Sequence, residues 1–275
     1  MPRDTQLQSR RNFLLSSAAA SLAGALPVSL IAEPARPQAT EDHDSDSAIP
    51  TRDTVLKFYP DGRRRGFAGN TVICHLPQQS HTRDAITALG DALRKSPFIH
   101  KLGMLPSESY HMTVFPGTND QGRTAENWPS DIPRDAPIAE CNRIIGERMK
   151  SFDTECQLPI RVRVNGPHTF GYGRACTLRL SPADEVENHK LRTLRDRLSE
   201  VYRFRLKDHA NYAFHMTLAY QVAPFTQKEQ RQYQAVLEHH IPAIIATAPV
   251  LELGVPEFCT FEDMFRFEIK TLLQA

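Results

Sequence analysis

Two five-residue segments of this 275-residue chain nearly repeat each other. Tyr110-His111-Met112-Thr113-Val114 is matched by Phe214-His215-Met216-Thr217-Leu218. Each reads aromatic, His, Met, Thr, aliphatic. A His-x-Thr triplet alone is weak evidence, because roughly one arises by chance in a chain this rich in His and Thr. The five-position match is much rarer, and its surroundings repeat too. A strand-like run beginning near Thr71 precedes His111 by 40 residues, and one beginning near Ala175 precedes His215 by the same offset. A helical pattern lies between in both cases. Such self-similarity marks an internal duplication and restricts the fold to two similar lobes.

Hydrophobic periodicity fills in the elements. In the first half it predicts a strand over 71–76 and a helix capped by Thr82 with Ile86, Leu89 and Leu93 on one face. The first His-x-Thr strand follows, about 109–115. A Pro- and Gly-rich loop over 116–137 carries the only tryptophan, Trp128. Loops of that length are either binding segments or surface insertions. A helix over 139–150 and an alternating strand over 158–164 come next. In the second half a strand over 176–180 precedes a long helix opened by Ser181-Pro182. The second His-x-Thr strand spans about 213–220. Thr226-Gln227-Lys228-Glu229 reads as a capping box. Strands at 250–253 and 264–269 close the chain, the latter with Phe265, Phe267 and Ile269 alternating with charges. The expected fold class is α+β, with two pseudo-symmetric lobes and a central groove between the His-x-Thr strands.

The first 32 residues read as an address. Ser9-Arg10-Arg11-Asn12-Phe13-Leu14-Leu15 resembles the twin-arginine export signal, and an Ala-rich, mildly apolar stretch follows. This implies engagement of the twin-arginine machinery, export in the folded state, and a periplasmic or secreted location. An uncleaved anchor is the alternative. Residues 33–51 are Pro-rich and acidic and are expected to be a disordered linker. The functional body is therefore 52–275, with the duplication boundary near 166–174. The formal charge of +1 becomes about −1 once the signal is removed. A near-neutral body lacks the field of a general nucleic-acid binder, but a small phosphate ligand remains compatible. The five cysteines form no Cys-x-x-Cys pair and imply neither a zinc site nor a disulfide framework.

In a regular strand His111, Thr113 and Phe115 share one face, opposite Tyr110, Met112 and Val114. His215 and Thr217 are likewise opposed to Phe214, Met216 and Leu218. The Met and aliphatic positions are explained by packing; the His and Thr positions are not. Two histidines presented alike across one centre can work as general base and general acid, since imidazole titrates near pH 6.5. Thr hydroxyls can donate to non-bridging phosphate oxygens. Zinc ligation is the competing use of paired histidines, but Thr is a poor zinc ligand, so no metal and no cofactor are expected.

The paired motif in its duplicated setting resembles the 2H (two-histidine, LigT-like) phosphoesterase superfamily. The resemblance spans about 52–275. The segments Lys57-Phe58-Tyr59-Pro60-Asp61-Gly62 and Gly69-Asn70-Thr71-Val72 add to it. It implies metal-independent hydrolysis of a 2′,3′-cyclic phosphate or a related nucleotide or oligonucleotide phosphodiester. His111 and His215 would be the catalytic pair, and Thr113 and Thr217 would hold the phosphate. Phe115, on the same predicted face, is a further substrate-binding candidate. The expected partner is a small nucleotide or phosphodiester substrate, and the chain is expected to be monomeric. The alternative from another class is a non-catalytic nucleotide- or phosphate-binding protein on the same fold; a purely structural domain is a third.

Overall fold

The run Thr71-Val72-Ile73-Cys74 is apolar without alternation, as a strand covered on both faces requires. It lies in β1 (Gly69–His75), which is buried along nearly its whole length. A computed structural model describes residues 48–171 and 175–274. The expected export signal, most of the expected linker, and part of the expected duplication boundary lie outside the described residues.

In the first half of the chain a short helix α1 (Arg52–Lys57) precedes β1. It is followed by α2 (His81–Arg94), β2 (Leu102–Met104) and β3 (His111–Asn119). Next come α3 (Ile138–Met149), β4 (Ile160–Val164) and a short α4 (Gly166–Gly171). The second half adds β5 (Ala175–Pro182), α5 (Glu185–Tyr202), β6 (His215–Gln221) and α6 (Gln227–Thr247). Strands β7 (Leu251–Leu253), β8 (Glu257–Phe261) and β9 (Glu268–Leu272) end the chain. Two antiparallel sheets result, ordered β3-β1-β8-β9 and β2-β6-β5-β4-β7. Strands β7, β8 and β9 are divided between them, so the closing segment ties the lobes together. The fold is the expected mixed α+β arrangement of two sheet-based lobes.

The helices bury the faces their periodicity predicts: Ile86, Leu89 and Leu93 in α2, and Leu191, Leu194 and Leu198 in α5. Each such side chain contributes about 1.5–3 kcal/mol by leaving water. The capping box at Thr226 is formed in full. Four cysteines are buried and all five are free.

Several boundaries differ from expectation for local reasons. Ser80, not Thr82, caps α2, its hydroxyl accepting from Arg83 N at 3.1 Å. Ser181-Pro182 does not open a helix. It ends β5, where Pro182 pairs with Val162, and Asp184 caps α5 through Glu187 N at 2.9 Å. The strand expected over 264–269 begins only at Glu268, because Asp263 accepts from Phe265 N at 2.8 Å and bends the chain there. Strand β8 and helix α1 carry no period long enough to read. In the long loop, β3 continues through Pro116 to Asn119, and a proline is tolerable there because β3 is an edge strand. Further along the loop Trp128 is 2% exposed, donates to Ile132 O at 3.0 Å and lies under the Arg123 guanidinium.

Candidate active site

The repeat visible in the sequence is repeated in the backbone. At a constant offset of 104 residues, His75 pairs with His111 as Arg179 pairs with His215. Leu76 N donates to Tyr110 O at 3.1 Å, and Leu180 N donates to Phe214 O at 2.8 Å. Even the irregularities coincide. Ile73 opposes Thr113 while Val72 opposes Phe115, so Val114 is the extra residue of a β-bulge. Thr177 opposes Thr217 while Cys176 opposes Ala219, so Leu218 is the extra residue of its counterpart. Both motif strands therefore begin with the same burial pattern: His and Thr partly open, Met and the two residues after Thr inside.

The bulge overturns one expectation. Phe115 does not share a face with His111 and Thr113. It is fully buried, its ring stacked on Tyr202 at 4.8 Å between centroids. It belongs to the core, and its place as a substrate contact is corrected. The other four residues are brought together. His111, Thr113, His215 and Thr217 line one cleft of about 350 Å³. Strand β2 pairs only with Ala219–Gln221, so it leaves the His215 end of β6 open toward β3.

The two imidazoles are held alike. His111 Nδ1 lies 2.6 Å from Ser109 O, and His215 Nδ1 lies 2.9 Å from Ala213 O. A carbonyl can only accept, so each Nδ1 carries the proton and each Nε2 is left for chemistry. Burial draws the His111 imidazole down to about 3, with the Ser109 carbonyl opposing and His75 and His215 adding to the depression. Burial also lowers His215, against the Ala213 carbonyl and with Arg179 and Lys57 reinforcing it. The cleft thus holds two neutral imidazoles at neutral pH.

Among the cleft residues that the sequence did not single out are Lys57, Tyr212 and Tyr220. Lys57, at the end of α1, donates to Asp53 at 2.8 Å and to Tyr220 Oη at 3.3 Å. Burial opposes its charge, but Asp53 and the Tyr220 oxygen outweigh that effect, so its pKa is raised above the ordinary lysine value. Its ammonium also sits over the Phe67 and Tyr220 rings. A fixed cation therefore faces the same cleft as the histidine pair. The helix that carries it has six residues, too few to show a period. Tyr220 reaches the cleft because the Leu218 bulge shifts the alternation of β6.

The half-sites differ in what lies behind them. Thr217 Oγ1 is 3.3 Å from Thr177 Oγ1, whereas Thr113 opposes the buried Ile73. At the bulges, Leu218 O accepts from Leu105 N at 3.0 Å, the backbone continuing from β2. The equivalent carbonyl, Val114 O, accepts instead from Arg195 Nη1 at 2.6 Å. Arg195 is fully buried, lies 4.0 Å from the Tyr212 ring centroid, and also donates to His209 O at 3.4 Å. One guanidinium thus does for β3 what a neighbouring strand does for β6.

Residues 57–171 match a family model. It is 2H-phosphodiest, described as a domain of unknown function (DUF1868). The match includes Lys57, His111 and Thr113, while His215 and Thr217 lie beyond it. It supports the 2H superfamily, a phosphoesterase-like function in general, and a hydrolase class. Among solved structures, a conserved protein of unknown function from Agrobacterium tumefaciens is 29% identical, with a TM-score of 0.71. The alignment covers 79% of this chain and 90% of that one. No curated protein matches.

Proposed function

We propose that this protein is a metal-independent phosphodiesterase acting on a 2′,3′-cyclic phosphate or a related nucleotide phosphodiester. The observation that carries this reading is the presentation of both His-x-Thr pairs to one cleft, each imidazole with Nδ1 anchored and Nε2 left open. One neutral imidazole takes a proton from water as the water oxygen bonds to phosphorus. The bond from phosphorus to the ribose oxygen breaks, and the other imidazole, protonated, gives that oxygen its proton. Thr113 and Thr217 donate to the non-bridging oxygens, and Lys57 offsets their charge. A bound phosphodiester anion favours protonation of one imidazole, against the lowering by burial.

The test is incubation of the purified body with 2′,3′-cyclic nucleotides in the presence of a chelator. Turnover lost in both His111→Ala and His215→Ala supports the reading. Inactivity across a broad panel, or full activity in either variant, removes it. Tight binding of nucleotides without turnover would favour the non-catalytic alternative. We also propose export through the twin-arginine route, motivated by Ser9 to Leu15. Replacing Arg10 and Arg11 by Lys should retain the protein in the cytoplasmic fraction, and unaltered export would refute that route.

A further inference from the structure

A second cavity of about 580 Å³ adjoins the cleft. Phe267 lines both. On the cleft side its ring lies 4.4 Å from that of His111, and it also approaches His75 at 6.5 Å. The second cavity is walled by Phe265, Phe267 and Ile269, the alternating residues that the sequence pattern assigned to a strand. Its polar floor is His75 hydrogen-bonded through Nδ1 to Glu257, side chains that are 17% and 12% exposed. His75 is also the strand partner of His111, and their ring centroids lie 6.0 Å apart, so the floor of the second cavity backs onto the histidine cleft.

The chemistry of this cavity restricts its ligand. Aromatic and aliphatic walls favour a planar or apolar group. The lining sets the carboxylates of Glu108 and Glu257 against one guanidinium, Arg266, so it has no excess positive charge to hold a second phosphate or a carboxylate, and its carboxylates favour a group with N–H donors. The cleft is near the lower end of the ~300–1,000 Å³ usual for small-molecule sites, and the larger space lies beyond Phe267. We infer that the cavity beyond Phe267 takes the nucleobase of a substrate whose phosphate occupies the histidine cleft. This rests on the phosphodiesterase reading and makes the second cavity the place where the base is selected.

Gly254 offers a way to fill the cavity without touching His111. A Cβ added there meets only the His75 carbonyl, at an ordinary 3.6 Å. The experiment compares full-chain wild type and Gly254→Leu on 2′,3′-cyclic nucleotides and on ribose 2′,3′-cyclic phosphate, which lacks a base. The wild type should prefer the nucleotides, and Gly254→Leu should reduce that preference at least tenfold, mainly through the nucleotide KM. An unaltered preference in Gly254→Leu, or a wild type that does not distinguish the two substrates, overturns the inference while leaving the phosphodiesterase reading intact. If the wild type cleaves neither substrate, the phosphodiesterase reading falls, and calorimetric titration with free nucleosides decides the cavity. Binding that is lost in Gly254→Leu sustains it as a base site, and no binding by the wild type overturns it.

Discussion

At the scale of single residues, the two histidines are alike in anchoring and unlike in surroundings. His111 is drawn down to about 3 and His215 is lowered as well, chiefly by burial. A two-histidine reaction needs one imidazole protonated and one neutral. The kcat/KM profile, which reports the free protein, should therefore peak below about pH 6.5 and fall as pH rises through the His215 value. The kcat profile should lie at higher pH, because bound phosphodiester favours the protonated form. Coincident profiles centred above about pH 7 would contradict this. His111→Ala and His215→Ala should each lower kcat by ~10²–10⁴-fold, the usual size of acid–base assistance. Lys57→Met should raise KM for an anionic diester more than it lowers kcat, because Lys57 supplies charge and no proton; steady-state kinetics separate the two.

At the scale of elements, the bulges decide which side chains face the cleft. They were not legible, because a bulge adds one residue without altering composition, and a strict alternation carries Phe115 to the wrong face. The same shift brings Tyr220 to the cleft, where no period-two reading from His215 would put it. Arg195 is the element-level fastener of the Val114 bulge. Arg195→Met should keep its bulk but leave Val114 O and His209 O without their buried donor, at roughly 1.5–3 kcal/mol for a charge-assisted hydrogen bond. Chemical denaturation would measure the loss. The equivalent Leu218 carbonyl, satisfied by backbone, has no side chain whose removal should do the same. The capping box was legible because its signal is local: Thr226 and Glu229 satisfy each other's backbone within one turn. Thr226→Ala should cost about 1 kcal/mol by the same measurement.

At the scale of the whole molecule, the cleft links catalysis to stability. Between the unfolded histidine value of 6.5 and the folded His111 value of about 3, the unfolded chain binds more protons than the folded one. Unfolding free energy should therefore fall as pH drops through that window, with the stabilising contribution present above about pH 6.5. His111→Ala should flatten this dependence in urea unfolding curves collected across the window. An unchanged slope would show that the folded chain does not lower the His111 pKa.

The amino-acid order alone carries the duplication, the α+β class, the buried faces of the long helices and the pairing of two His-x-Thr segments. These are local or periodic properties, and each is written in a few neighbouring residues. Which residues meet across the two lobes is another matter. The closing strands β7, β8 and β9 are shared between the sheets, the bulges rotate Phe115 inward and Tyr220 outward, and Arg195 stands in for an absent strand. Lys57 arrives from a helix too short to announce itself. Those contacts join positions scores of residues apart and depend on register, which a single inserted residue reverses. Only the folded chain resolves them, and with them the composition of the cleft.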